Sequence, residues 1–103
     1  MHLSAIEEAV QYNRALKVLA ALAVETRLRA FQAVSDAGDD GVISGEIARK
    51  LNVPHSTLSD HLGILTSAGI VTKERRSRSI IYRADMRTVE ELAKFLTERQ
   101  QTS

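Results

Sequence analysis

The sequence predicts a mainly α-helical domain with one small β-hairpin, and three observations predict it. Apolar residues recur at three- and four-residue steps through most of the chain. A short helical pattern is cut from the next by Asn52-Val53-Pro54, and after Gly69 the pattern changes to two β-branched runs separated by arginines.

The elements follow in order. Ser4-Ala5-Ile6-Glu7 has the spacing in which a hydroxyl and a carboxylate satisfy the orphan amides of a helix start. The helix it opens carries Leu3, Ile6, Val10, Leu16, Leu19 and Leu22 at roughly helical spacing, a stripe expected to serve as core and as a seam to a second copy. A second helix from about Glu25 carries Leu28, Phe31 and Val34 and stops near Gly38, where Ala37-Gly38-Asp39-Asp40-Gly41 collects turn formers. Ser44 is the expected cap of a short third helix with Ile47, Ala48 and Leu51 on one face. Pro54 disfavours helix at the residue before it and suits the first turn of the next, so a fourth helix is expected to reach Ala68, with Gly69 as its cap. Its inward stripe is Leu58, Leu62 and Leu65, which turns His55, Ser56, Ser59, Asp60 and Gly63 outward. Ile70-Val71-Thr72 and Ser79-Ile80-Ile81-Tyr82 make the hairpin, with Arg75-Arg76-Ser77-Arg78 between them. Asp85 or Thr88 opens a last helix with an apolar stripe of Met86, Val89, Leu92, Phe95 and Leu96, and the tail Gln100–Ser103 is expected to fray.

Composition narrows the chemistry. At 103 residues, with 44% hydrophobic and 26% charged residues, the chain is expected to form a single soluble domain spanning 1–103 that gains from dimerisation. Met1-His2-Leu3-Ser4 leads into acids at Glu7 and Glu8 rather than into a signal peptide, so a cytoplasmic location with no membrane association is expected. The absence of cysteine removes thiolate nucleophiles, zinc-thiolate sites and thiol redox switches. No serine sits in a G-x-S-x-G context and no glycine-rich loop precedes a helix, so no enzyme is expected. The net charge is only +1, but five bases (Lys73, Arg75, Arg76, Arg78, Arg83) lie between positions 73 and 83 against the single acid Glu74. The positive charge is therefore local, where phosphates would meet it.

The order α-α-α-α-β-β-α is that of a winged helix-turn-helix: a slim polar helix enters the major groove and a basic hairpin grips the adjacent backbone. Ala23-Val24-Glu25-Thr26-Arg27-Leu28-Arg29, Ser44-Gly45-Glu46-Ile47-Ala48, Ser56-Thr57-Leu58-Ser59-Asp60-His61-Leu62, Ala68-Gly69-Ile70-Val71 and Arg75 to Tyr82 resemble, in order, the signatures of the ArsR/SmtB repressors. The resemblance spans nearly the whole chain. It implies a repressor of its own operon, a homodimer built from the first and last helices with two reading helices on successive major grooves, and release by an effector. Two departures stand out. Asp60 occupies a position where the family commonly has a base, and Glu98-Arg99-Gln100 stands where the closest members carry a vicinal cysteine pair for arsenic.

The expected contacts to operator DNA are therefore His55, Ser56, Thr57, Ser59, Asp60 and His61 from the helix, and Lys73, Arg75, Arg76 and Arg78 from the hairpin. His61 lies nearer the buried stripe, where packing competes with DNA contact. Six residues on a helix separate His55 and His61 by about 240° around its axis, so the pair does not chelate one ion. No histidine follows Met86, which leaves Glu90, Glu91 and Glu98 as a solvated helix face. No cofactor or metal is expected, and the effector is unidentified. The alternative is a winged-helix interaction module that no longer binds DNA specifically, for which Asp60 is the sequence support.

Overall fold

The computed structural model describes residues 4–98. Leu3, His2 and the tail Gln100–Ser103 lie outside the described residues. Helices α1 (Ala5–Leu22) and α2 (Glu25–Asp36) are followed by a single 3-10 turn (Gly38–Asp40) and a two-residue strand β1 (Val42–Ile43). Then come α3 (Ser44–Leu51), α4 (His55–Ser67), the hairpin strands β2 (Val71–Arg76) and β3 (Ser79–Ala84), and α5 (Met86–Thr97). The hairpin is thus one side of a three-stranded antiparallel sheet of order β1-β3-β2, in which Val42 faces Tyr82 and Ile43 faces Ile81.

Local chemistry sets most boundaries. The Ser4 hydroxyl accepts from the Glu7 amide at 3.1 Å and donates to its carboxylate at 3.2 Å, so the start of α1 is held as the sequence implies. Asn52, at φ 55°, ends α3, with its own amide donating to the Arg49 carbonyl and that of Val53 to Ala48. Gly69, at φ 82°, ends α4 the same way: its amide donates to Thr66 and that of Ile70 to Leu65. Both are the paired closures that a left-handed residue permits. Asp85 accepts from the Thr88 amide at 3.2 Å and caps α5, which decides between the two candidates for that position.

Three expectations are corrected. Ser44 is the first residue inside α3, because Ile43 is extended and paired in β1 and the chain passes from strand to helix without a side-chain cap. On α1 the residues packed into the core are Ala15, Val18 and Ala21, whereas Leu16 and Leu19 are 51% and 39% exposed. Of the apolar stripe read there, Leu22 packs against the core while Ile6, Val10, Leu16 and Leu19 stay exposed, because the small side of the helix is the one that approaches α2 and α4 closely. Leu28 is likewise exposed, and α2 packs through Ala30, Ala33 and Val34.

The core gathers Val34, Ile47, Leu58, Leu62, Leu65, Ile70 and Val71, each essentially inaccessible to solvent. Arg27 of α2 donates to the Ala21 carbonyl at 2.7 Å, supplying a donor to the end of α1, whose last turn has no base of its own.

Gly41 fixes how closely β1 approaches β3. It has φ 73°, and a Cβ there would lie against the Ile81 side chain and 2.9 Å from the Tyr82 carbonyl. Gly41→Ala is expected to destabilise the fold by about 2–4 kcal/mol, combining left-handed strain with overpacking. Denaturant unfolding measures this, and a loss under about 0.5 kcal/mol would show that β1 is not held at that contact.

Candidate nucleic-acid interface

The surface that meets the sequence expectation is built on α4. Leu58, Leu62 and Leu65 are 0% exposed, and anchoring three residues at steps of four and three fixes the helix about its long axis. His55, Ser56, Thr57, Ser59, Asp60 and Gly63 are consequently exposed. The side chains on this face are short, which keeps the helix slim enough for a groove about 12 Å wide. His55 is not free on that surface: its Nε2 lies 2.9 Å from the Ser44 hydroxyl, so α3 holds the ring at the start of α4. His61 belongs to the other side. It is half-buried, and its Nδ1 is buried without a hydrogen-bond partner.

Asp60 lines an open hollow of about 720 Å3 between α1 and α4 that also includes Lys17, Arg27, Gly63 and Ile64.

The hairpin sorts its charges by register. Cross-strand partners share a face, so Lys73 and Arg75 project with Tyr82 and Ile80, while Glu74 and Arg76 project with Ile81 and Ser79. Arg83, opposite Thr72, joins the second face diagonally from Glu74. There Glu74 accepts from Arg83 Nη1 at 2.7 Å and from Arg76 Nε at 3.3 Å. The Arg83 Nε donates in turn to the Asp39 carbonyl at 2.8 Å, which ties the hairpin to the 3-10 turn. Lys73, Arg75 and Arg78 are exposed and take part in no ion pair among the described residues. At the tip Ser77 adopts φ 56° and closes a two-residue connection. All ten expected site residues therefore lie on α4 or the hairpin, with His61 turned inward and Arg76 already paired. Sequence reading missed Ser44, Arg83 and Asp39 as supporting groups, and it counted Glu74 only as the lone acid among bases.

Residues 22–74 match the family model described as a helix-turn-helix domain. An uncharacterised helix-turn-helix transcriptional regulator, YbzH of Bacillus subtilis, is 31% identical over 93 residues, covering 79% of this chain and 93% of that one. The transcriptional repressor SmtB of Mycobacterium tuberculosis is 47% identical over 38 residues, covering 37% of this chain and 28% of that repressor's length. The chain belongs to the ArsR/SmtB family of winged helix-turn-helix transcriptional regulators.

Members of this family bind DNA and are not enzymes, in line with the sequence expectation. The fold agrees: a homodimeric winged helix-turn-helix DNA-binding domain from Mycobacterium bovis superimposes with a TM-score of 0.74 at 21% identity, over 100% of both chains. In ArsR/SmtB terms α3 and α4 are the helix-turn-helix and β2–β3 is the wing. Among the described residues no group of three or more His, Cys, Asp or Glu is placed to hold a metal ion, and no helix is long and apolar enough to cross a membrane.

Hydrogen bonds from Arg83, then from Arg76, hold the Glu74 carboxyl below the ordinary glutamate value of 4.5. A depressed folded pKa means that its stabilisation is present above the unfolded value and lost as pH falls through the folded one. Glu74→Gln is therefore expected to lower the melting temperature at neutral pH, with the gap to wild type closing below pH 4.5. A gap that stays constant on acidification would contradict the ionic role.

Proposed function

We propose that the chain is a homodimeric repressor that occupies an imperfect inverted repeat overlapping the promoter of its own operon and leaves it when an effector binds. The observation that carries this reading is the rigid seating of α4, with Leu58, Leu62 and Leu65 at 0% exposure and the polar residues from His55 to Asp60 left open. Ser56, Thr57 and Ser59, with the braced His55, meet base edges in the major groove. Asp60 accepts a cytosine amino group or faces the hollow it shares with Lys17 and Arg27, and His61 contributes through packing. Lys73, Arg75 and Arg78 meet phosphates or the adjacent minor groove, where each neutralised phosphate releases counterions. A cytoplasmic location accompanies that role.

Dimerisation through α1 and α5 is supported by what those helices leave uncovered. Ala5, Ala9, Tyr12, Leu16, Leu19 and Ala23 follow one another at steps of four and three along α1, and all are exposed. This is the seam spacing of paired helices. No residue of α5 is buried, and Met86 and Leu96 are 48% and 59% exposed. Tyr12 and Phe95 stack edge to face with centroids 5.6 Å apart, and Arg14 pairs with Glu91 at 3.2 Å, which sets the two helices side by side. The homodimer in the similar Mycobacterium bovis domain points the same way.

The alternative, an interaction module without specific DNA binding, rests on Asp60. Asp60 lies on the same exposed face of α4 as Ser56 and Ser59, and no second observation favours the alternative.

Replacing Arg75 and Arg78 by alanine is expected to weaken binding to every duplex and to flatten the dependence of log K on log salt by about two units, near 0.9 for each lost phosphate contact. An unaltered slope in fluorescence anisotropy titrations would remove the hairpin from the interface. Leu16→Glu, at a position 51% exposed, is expected to leave the helical signal intact and to shift sedimentation from dimer to monomer. A persisting dimer would exclude α1 from the seam.

A further inference from the structure

We propose that Glu74 is a positioning residue of the wing that governs how many of its cations generic DNA can use, holding Arg76 away from phosphates and so keeping non-specific affinity down. The inference rests on the DNA-binding reading above and concerns a residue that the reading does not employ. Glu74 is the single acid between positions 73 and 83. Its two oxygens are divided: Oε1 accepts from Arg83 at 2.7 Å and Oε2 accepts from Arg76 at 3.3 Å.

The two arginines differ in how firmly they are held. Arg83 is 28% exposed and bonded both to Glu74 and to the Asp39 carbonyl, so it acts as the post that fixes the carboxylate. Arg76 is 65% exposed and has Glu74 as its one hydrogen-bond partner among the described residues. An exposed pair of that length is weak. Only Nε of Arg76 is engaged, so what restrains a phosphate is less the bond than the Glu74 carboxylate beside it, a like charge that any phosphate meeting Arg76 must approach.

Of five wing cations, three thus meet any duplex without a competitor, and Arg76 is released only where the rest of the interface fits. Non-specific DNA competes at very many sites, so restraint of one phosphate contact raises the ratio of specific to non-specific binding even while it lowers raw affinity. The register explains why the carboxylate reaches both bases: Glu74 faces Ile81, and Arg83 and Ser79 are the diagonal positions, the latter opposite Arg76.

The test is a salt titration of the full chain on a generic duplex, read by anisotropy, for wild type, Glu74→Gln, Arg76→Ala, the double variant, and Asp36→Asn at the exposed end of α2 as a control for net charge. Glu74→Gln is expected to bind more tightly at low salt and to steepen the slope by about one unit, with Asp36→Asn unchanged. In the Arg76→Ala background the same substitution is expected to produce less than half of that change. Arg76→Ala alone is expected to flatten the slope by less than half as much as Arg75→Ala, a comparison that stands even if Glu74→Gln does not fold. Wild-type binding with an ordinary slope, combined with no response to Glu74→Gln or with an equal response in both backgrounds, would overturn the proposal alone. Absence of salt-dependent binding by wild type would overturn the DNA-binding reading together with it.

Discussion

The seating of α4 is the constraint on which the other features depend. Three leucines, Leu58, Leu62 and Leu65, are withdrawn completely from solvent among Val34, Ile47, Ile70 and Val71. Burying side chains of this size contributes roughly 1.5–3 kcal/mol each before the entropy of ordering is counted. More important for function is what the burial forbids. With one side of the helix fully committed, rotation about its axis would expose a leucine and bury a serine, so the polar face has a single permitted direction. The two left-handed closures, Asn52 before α4 and Gly69 after it, set where the helix begins and ends.

The sheet carries the same logic to the wing. A two-stranded hairpin alone is marginal in water, and this one gains support at its base from β1 and from the Arg83 bond to the Asp39 carbonyl. Val71 is buried and Ala84 is packed against the core, while the residues from Thr72 to Ile80 are exposed. The wing is therefore rooted at one end and solvated at the other. Its charge is also less uniform than the sequence suggests, because register places Glu74 among the arginines of one face and leaves Lys73 and Arg75 on the opposite face.

Much of this was legible in the residues, and the failures have physical causes. Caps and breakers are local chemistry, so Ser4, Asn52-Val53-Pro54, Gly69 and Asp85 marked the helix ends closely. The strand β1 was not legible, since two β-branched residues are extended here only because β3 pairs with them from some 40 positions away. Periodicity revealed an apolar stripe on α1 but could not say whether Leu16 and Leu19 face their own chain. The small residues Ala15, Val18 and Ala21 proved to be the inward side. Ser44 was read as a cap because that is serine's commonest local use, whereas its hydroxyl meets His55 across the turn. The double grip of Glu74 depends on cross-strand register, which composition does not encode.

The proposed function requires two copies of α4 presented together to one duplex. The chain has no cysteine, so a single Ser56→Cys substitution on the exposed face of α4 permits one spin label per protomer. Pulsed dipolar spectroscopy on the labelled protein then reads the separation of the two helices. A distance distribution centred near one helical turn of DNA, about 34–36 Å, is expected in the protein free of DNA. A label with no dipolar partner, or a separation that fits no pair of successive major grooves, would contradict it.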